Sequence, residues 1–146
     1  MIRDVVANLS IQVEKNGHQL TYTPTTNIPH ILANKGKIEQ VLINIISNAI
    51  KYTPQGQGLI EIFAGNLYNN VYIKVQDNGI GIPQKDLPRI FERFYRIDKA
   101  RARDKGGTGL GLAIAQEIIN MHGGSITIES KINKGTEVII TLPISE

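Results

Sequence analysis

The sequence predicts an α+β fold, a two-layer α/β sandwich in which helices pack on one face of a mixed sheet of about five strands. Three observations predict it. Stretches with helical spacing and stretches with alternating spacing are segregated along the chain, and they do not strictly alternate as parallel α/β units do. The alternating stretches come in pairs separated by short turn-rich segments, which is the signature of antiparallel hairpins. Finally, 146 residues, with 41% hydrophobic and 20% charged, suit a single domain over residues 1–146 with one core and no linker or repeat.

Each element follows from local pattern. Ile2, Val5, Val6, Leu9 and Val13 have helical spacing, and Asn16-Gly17 supplies a stop before the alternating run His18 to Thr23. A short strand is expected near His30 to Ala33, followed by a long amphipathic helix from Lys35 to Tyr52 that ends at Thr53-Pro54. Leu59 to Ala64 and Val71 to Asp77 alternate on either side of a turn from Gly65 to Asn70 and form a hairpin. Pro83 to Tyr95 reads as a short helix beginning just after a proline. Ile97 to Gly107, rich in charge and glycine, reads as a mobile loop. Thr108 to Met121 is apolar nearly all round apart from Gln116, Glu117 and Asn120, so it is a mostly buried helix, stopped by Gly123-Gly124. Ser125 to Ser130 and Thr136 to Leu142 form the last hairpin, around Asn133 to Gly135.

Composition removes several kinds of chemistry. There is no cysteine, which excludes disulfides, thiolate zinc sites and cysteine nucleophiles and suits a reducing, cytoplasmic compartment. No apolar stretch approaches the roughly 20 residues that span a bilayer, so direct membrane contact is not expected. The net charge of +3 is concentrated between Arg96 and Lys105, where five basic residues face two acids. Such a run is either a solvated loop or a surface for polyphosphate. Without interleaved aromatic and basic residues, it argues against nucleic acid.

Three places carry polar groups in a pattern that permits nucleotide chemistry. On the long helix, at about 100° per residue, Lys37, Asn44, Asn48 and Lys51 form one stripe, while Val41, Leu42, Ile45, Ile46 and Ala49 form the other side. The stripe is either plain solvent surface or a set of neutral oxygen ligands for magnesium with a cation for phosphate. On the strand from Val71, the alternation turns Asp77 toward the core with Ile73 and Val75. A buried carboxylate needs donors. Asp77 either caps the following turn through the amides of Gly79 or Ile80, or accepts from the exocyclic amine of a purine. The same parity turns Thr136 inward beside it. Third, Gly106-Gly107-Thr108-Gly109-Leu110-Gly111-Leu112 opens the buried helix with glycines that lower helix propensity. Glycines let backbone amides approach an anion at a helix N-terminus, so this run is a candidate phosphate cradle. It fits neither the dinucleotide fingerprint nor the Walker A pattern.

Taken in order, five segments resemble the boxes of the GHKL ATPase superfamily and, within it, the catalytic and ATP-binding domain of bacterial sensor histidine kinases. QVLINIISNAIKYTP resembles the N box, DNGIGIP the first glycine box, FERFYR the F box, GGTGLGLAI the second glycine box and GTEVIITLP the last. Any one box is weak, but five in sequence are specific. The resemblance implies the Bergerat ATP-binding fold, with ATP and Mg2+ as ligands.

It also implies roles. Asn48 matches the magnesium ligand, with Asn44 one turn earlier, Lys51 the phosphate-contacting lysine, and Tyr52 the aromatic packed against adenine. Asp77 matches the adenine-reading acid, beside a pocket shaped by Gly79, Ile80, Gly81 and Ile82. Arg96 matches the lid arginine that reaches the γ-phosphate. Gly107, Thr108, Gly109, Leu110, Gly111 and Leu112 match the backbone around the phosphates, and Thr136 matches the threonine near adenine. Phe91 and Phe94 are expected as lid anchors or domain contacts, not ligands. Gyrase-like and MutL-like relatives carry a water-activating Glu where this chain has Asn44, and an amide is no general base. With Asn44 and Arg96 as the catalytic pair, the expected activity is ATP-dependent protein-histidine phosphorylation in two-component signalling. The alternatives are a GHKL-type ATPase or a non-catalytic nucleotide-binding module.

Two departures qualify the match. Asn34 stands where an Asp is common before the N-box helix. The phosphoacceptor motif, His followed by an acid and then an Arg- or Lys-Thr-Pro run, does not occur, and His18, His30 and His122 do not replace it. His122, at a helix end, is expected to be structural. The chain is therefore expected to be the catalytic part of a longer kinase. Its partner would be that kinase's own dimerisation and phosphoacceptor domain and, indirectly, a response regulator. By family analogy the parent is membrane-anchored with this part in the cytoplasm.

Overall fold

The sequence's first apolar period becomes helix α1 (Ile2–Lys15), which buries Val5 and Val13. The turn at Gly17, whose φ of 73° suits glycine, reverses the chain into β1 (Gln19–Pro24). These features come from a computed structural model, which describes residues 2–25, 28–29, 31–53, 58–93 and 111–144.

Helix α2 (Lys35–Lys51) starts at Asn34, whose side-chain oxygen accepts from the Lys37 amide. Asn therefore caps this helix as an Asp would, since both offer an acceptor to the exposed first-turn amides. One side of α2 buries Ile38, Val41, Leu42, Ile45, Ile46 and Ala49, at about 1.5–3 kcal/mol for each large aliphatic side chain. Strands β2 (Leu59–Leu67) and β3 (Asn70–Asp77) form a hairpin. Helix α3, described as Gly111–Met121, leads into β4 (Ser125–Lys131) and β5 (Gly135–Pro143).

The five strands lie in the order β1-β2-β3-β5-β4. β1 runs parallel to β2 and every other pair is antiparallel, so the sheet is mixed, as expected. Ile60, Ile62, Ile73, Val75, Val138, Ile140 and Leu142 line the covered face and join the side chains of α2 and α3 in one core. Helix α2 lies between α1 and α3, with α1 against β1 and α3 against β4. The described residues thus bear out a two-layer α+β sandwich. Among them, no helix is long and apolar enough to cross a membrane.

Three expectations for local elements are corrected. Residues 31–33 are not a strand. Ile31 and Ala33 pack on the core while Leu32 is exposed, so the alternation is real. β1, however, pairs only with β2, and no ladder partner reaches this segment. His30 lies outside the described residues. The first hairpin turns at Tyr68 and Asn69, tighter than Gly65 to Asn70, because Gly65 and Asn66 continue the ladder opposite Tyr72 and Val71. Tyr68 takes the positive φ of 55° that this tight turn requires. Between Pro83 and Arg93 there is only a 3-10 turn at Leu87–Arg89, where Pro88 interrupts any α-helical ladder. Phe94, Tyr95 and the loop expected from Ile97 to Gly107 lie outside the described residues.

Candidate nucleotide site

The structure joins the described sequence-predicted residues in two places: Asn44 of α2 meets Gly111 of α3, and Tyr52 at the end of α2 meets the turn after Asp77, which lies opposite Thr136. Helix α2 ends at Lys51, α3 is described from Gly111, β3 ends at Asp77 and β5 begins at Gly135. Arg96, Gly107, Thr108, Gly109 and Leu110 lie outside the described residues.

The contact between the two helices comes first. Asn44 and Asn48 are half-buried on the stripe of α2 that faces away from the apolar core. Asn44 donates from Nδ2 to the Gly111 carbonyl at 3.3 Å. The described start of α3 is thus seated on the carboxamide stripe. Because the amide nitrogen of Asn44 is used in this bond, its Oδ1 stays available as a neutral acceptor. Gly111 and Leu112 are both half-buried.

Asp77 is built by the sheet. It ends β3 on the helix-covered face, directly opposite Thr136 on β5 and Ile60 on β2. The Gly79 amide donates to Oδ1 at 2.8 Å, so the turn-capping role expected at Gly79 is present. Ile80 does not share it, because its amide donates to the Tyr52 carbonyl at 3.1 Å. Burial pushes the Asp77 carboxyl above its ordinary value of 3.8, opposed by hydrogen bonds from the Gly79 and Thr136 amides.

The turn after Asp77 is clamped from both sides. A Cβ on Gly79 would stand 2.6 Å from the Tyr52 carbonyl and 2.9 Å from Thr53 Oγ1, so this glycine lets the turn close onto the end of α2. Thr53 is buried and donates to the Ala49 carbonyl at 2.6 Å, which holds that helix end. On the other side, the Asn133 amide donates to the Ile80 carbonyl at 2.8 Å. Gly81 has a φ of 77°, and a side chain there would overlap the Lys131 carbonyl. The Asp-Asn-Gly turn therefore sits between α2 and the β4–β5 hairpin. Tyr52, half-buried, closes α2 as its C-cap next to Lys51.

Sequence reasoning missed Ser130 and Asn78. Asn78 accepts from the Leu59 amide at 2.8 Å and ties the turn to β2. Ser130, buried at 8% exposure, accepts from the Ile82 amide at 2.7 Å and donates to the Gly135 carbonyl at 2.9 Å, with Thr136 Oγ1 at 2.8 Å. A serine on an alternating strand carries no signal of its own; only the pairing of Ser130 with Thr136 across the ladder brings it to the site. A hollow of about 510 Å³ lies alongside, lined in part by Asp77, Gln84, Ser130, Lys131 and Thr136.

His122, expected to be structural, makes structural contacts. His122 Nδ1 bonds the Ile118 carbonyl at 2.8 Å, and the Asn34 amide donates to its Nε2 at 3.1 Å. The ring therefore carries its proton on Nδ1 and links the end of α3 to the cap of α2. Phe91 packs against the core, and Arg93 forms an ion pair with Glu117 of α3.

A mixed two-layer sandwich, with a carboxamide stripe under the start of α3 and a half-buried carboxylate at a glycine turn, fits one class: an ATPase-type nucleotide-binding domain. Comparison with known proteins places it further. Residues 33–146 match the histidine kinase-, DNA gyrase B-, and HSP90-like ATPase family, and the chain belongs to that family. It is 51% identical over 118 residues to Sensor histidine kinase WalK of Bacillus subtilis (strain 168), an alignment covering 80% of this chain and 19% of WalK. To Sensor protein kinase WalK of Staphylococcus aureus it is 43% identical over 145 residues, covering 93% of this chain and 35% of that protein. The chain thus spans about a fifth to a third of the length of these relatives. Among solved structures it superposes on the catalytic domain of histidine kinase ThkA, with a TM-score of 0.84 and 31% identity over 97% of this chain and 89% of that one. ThkA has also been solved in complex with response regulator protein TrrA. Full-length ShkA in complex with AMPPNP gives a TM-score of 0.84 at 28% identity, covering 98% of this chain and 29% of ShkA. The chain is a histidine-kinase catalytic domain homologous to the WalK sensor kinases.

Proposed function

We propose that this chain, as one domain over residues 1–146, binds Mg-ATP at the end of the sandwich where α2, α3 and β3 converge and donates the γ-phosphoryl group to a histidine outside it. The observation that carries the proposal is the Asn44–Gly111 hydrogen bond. It sets the start of α3 against a stripe of neutral oxygen ligands, and at the end of β3 Asp77 offers a half-buried acceptor. Asp77 and Thr136 take the adenine, with Tyr52, Gly79, Ile80, Gly81 and Ile82 around it. Lys51 and the segment Gly107 to Leu112 take the phosphates.

Magnesium fits this donor set. Among the described residues no group of three or more His, Cys, Asp or Glu could hold a metal, and magnesium commonly relies on one or two protein oxygens, waters and the nucleotide phosphates. Asn48 would hold it, with Asn44 one turn away. The ion supplies charge neutralisation for the phosphates. Phosphoryl transfer depends chiefly on positioning and on such neutralisation. Arg96 is assigned to the γ-phosphate. Asn44, an amide, does not activate water, so transfer to an acceptor is favoured over hydrolysis.

The acceptor belongs to a dimerisation domain of the same kinase, and the phosphoryl group passes on to a response regulator. The parent is assigned to the membrane with this domain on its cytoplasmic side. Neither nucleic acid nor direct membrane contact has a place in the scheme. The test is reconstitution. Mixing this chain with a separately made acceptor hairpin, magnesium and ATP labelled at the γ-phosphate should place acid-labile label on the hairpin. Steady hydrolysis of several turnovers per minute by the chain alone, with no labelled hairpin, would overturn the kinase reading in favour of an ATPase.

A further inference from the structure

We propose that Ser130 is a positioning residue that sets base specificity by fixing the direction of the Thr136 hydroxyl proton. The inference rests on the assignment of Asp77 and Thr136 to the base. Ser130 sits in one row with Thr136, Asp77 and Ile60 across four strands of the sheet, and its side chain is buried. Its single proton goes to the Gly135 carbonyl, which can only accept. The Ile82 amide can only donate, and donates to Ser130 Oγ. The proton in the remaining bond, between Ser130 Oγ and Thr136 Oγ1, therefore belongs to Thr136.

This has a chemical consequence. With its proton committed to Ser130 and its backbone amide on the Asp77 carboxyl, Thr136 presents only lone pairs to a ligand. The ionised Asp77 also presents only lone pairs. Two acceptors side by side suit a purine with an exocyclic amine at C6, which has two N–H donors. They disfavour a 6-oxo purine, whose carbonyl would face acceptors on both sides and leave buried polar atoms unpaired. Ser130 touches no ligand in this scheme. It acts through Thr136, and through Ile82 it ties the glycine turn to the same hairpin.

The experiment is calorimetric titration of the chain with ATP and with inosine triphosphate, the 6-oxo analogue. The wild-type chain should favour ATP by about a hundredfold, and Ser130→Ala should cut that ratio by about tenfold, the worth of one hydrogen bond of roughly 1.4 kcal/mol. A freed Thr136 hydroxyl can then donate to the 6-oxo group. A purely structural role would weaken both nucleotides alike and leave the ratio unchanged, which overturns the inference. Thr136→Val tests the same proton without altering Ser130. It should weaken ATP more than inosine triphosphate, and the reverse order would overturn the inference even if Ser130→Ala fails to fold. If the wild-type chain binds neither nucleotide, the base assignment itself fails, which is a different result from an unchanged ratio.

Discussion

Asn44 and Gly111 meet side chain to backbone at 3.3 Å, yet among the described residues a Cβ added to Gly111 would meet only Asn44 atoms, at 3.8 and 3.9 Å. That is ordinary contact. Packing against the described residues therefore does not demand glycine at the start of α3, although helix propensity disfavours it there.

Gly111→Ala should accordingly leave the fold intact and raise stability by about 0.5–1 kcal/mol, the intrinsic helix advantage of alanine. If the glycine serves close approach of phosphate, ATP affinity should fall at the same time. Urea unfolding and ATP titration on one preparation check both. A variant that is less stable would show that the position is constrained by packing after all.

Gly81 presents the opposite case. Its φ of 77° and the Lys131 carbonyl leave no room for a side chain, so Gly81→Ala combines backbone strain with a clash against the β4–β5 hairpin. About 2–4 kcal/mol of stability should be lost. The loss would show as a lowered midpoint in urea with an unchanged slope; a midpoint within experimental error of wild type would contradict the clamped turn.

Asp77 makes a pH prediction of definite sign. Its folded pKa is raised above its ordinary 3.8 by burial, so between those values the folded chain binds more proton than the unfolded one. Stability contributed by this group therefore falls as pH rises through that window, and at neutral pH the penalty of the buried charge is complete. Asp77→Asn removes that penalty, so at neutral pH it should melt no lower than wild type. Its relative advantage should shrink as pH is lowered through the window. ATP affinity should fall about tenfold to a hundredfold, since the carboxylate acceptor is lost. Thermal melts from pH 3 to pH 7 and calorimetry at pH 7 provide the check; unchanged ATP affinity would remove Asp77 from the adenine site.

His122 bridges Ile118 and Asn34. His122→Ala should cost about 1–3 kcal/mol, because the Asn34 amide and the Ile118 carbonyl lose their shared partner, and ATP affinity measured on the folded fraction should stay the same. A fall in affinity with no change in melting temperature would instead place this histidine in the nucleotide chemistry.

Much of this protein could be read along the chain because its signals are local. The period of Val41, Leu42, Ile45, Ile46 and Ala49 names the core side of α2, and the alternation through Ile73, Val75 and Asp77 turns the carboxylate inward, since both depend only on backbone geometry. Where such reasoning failed, the deciding partner lay elsewhere. Ile31 and Ala33 alternate without becoming a strand, because strand status needs a neighbour's hydrogen bonds, and β1 pairs with β2 alone. The residues from Pro83 to Arg93 make only a 3-10 turn because Pro88 overrides the helical pattern.

The fold class, the core faces, the boxes and the two carboxamides of α2 were legible along the chain. Only the tertiary structure decided that Asn44 holds Gly111, that Gly79 and Gly81 wedge the turn between a helix end and a hairpin, and that Ser130 governs the Thr136 proton. Those relationships join residues from 6 to 67 positions apart, and nothing local encodes which distant donor a buried acceptor will meet. Ladder register and helix packing fix that choice, and they exist only once the chain has folded.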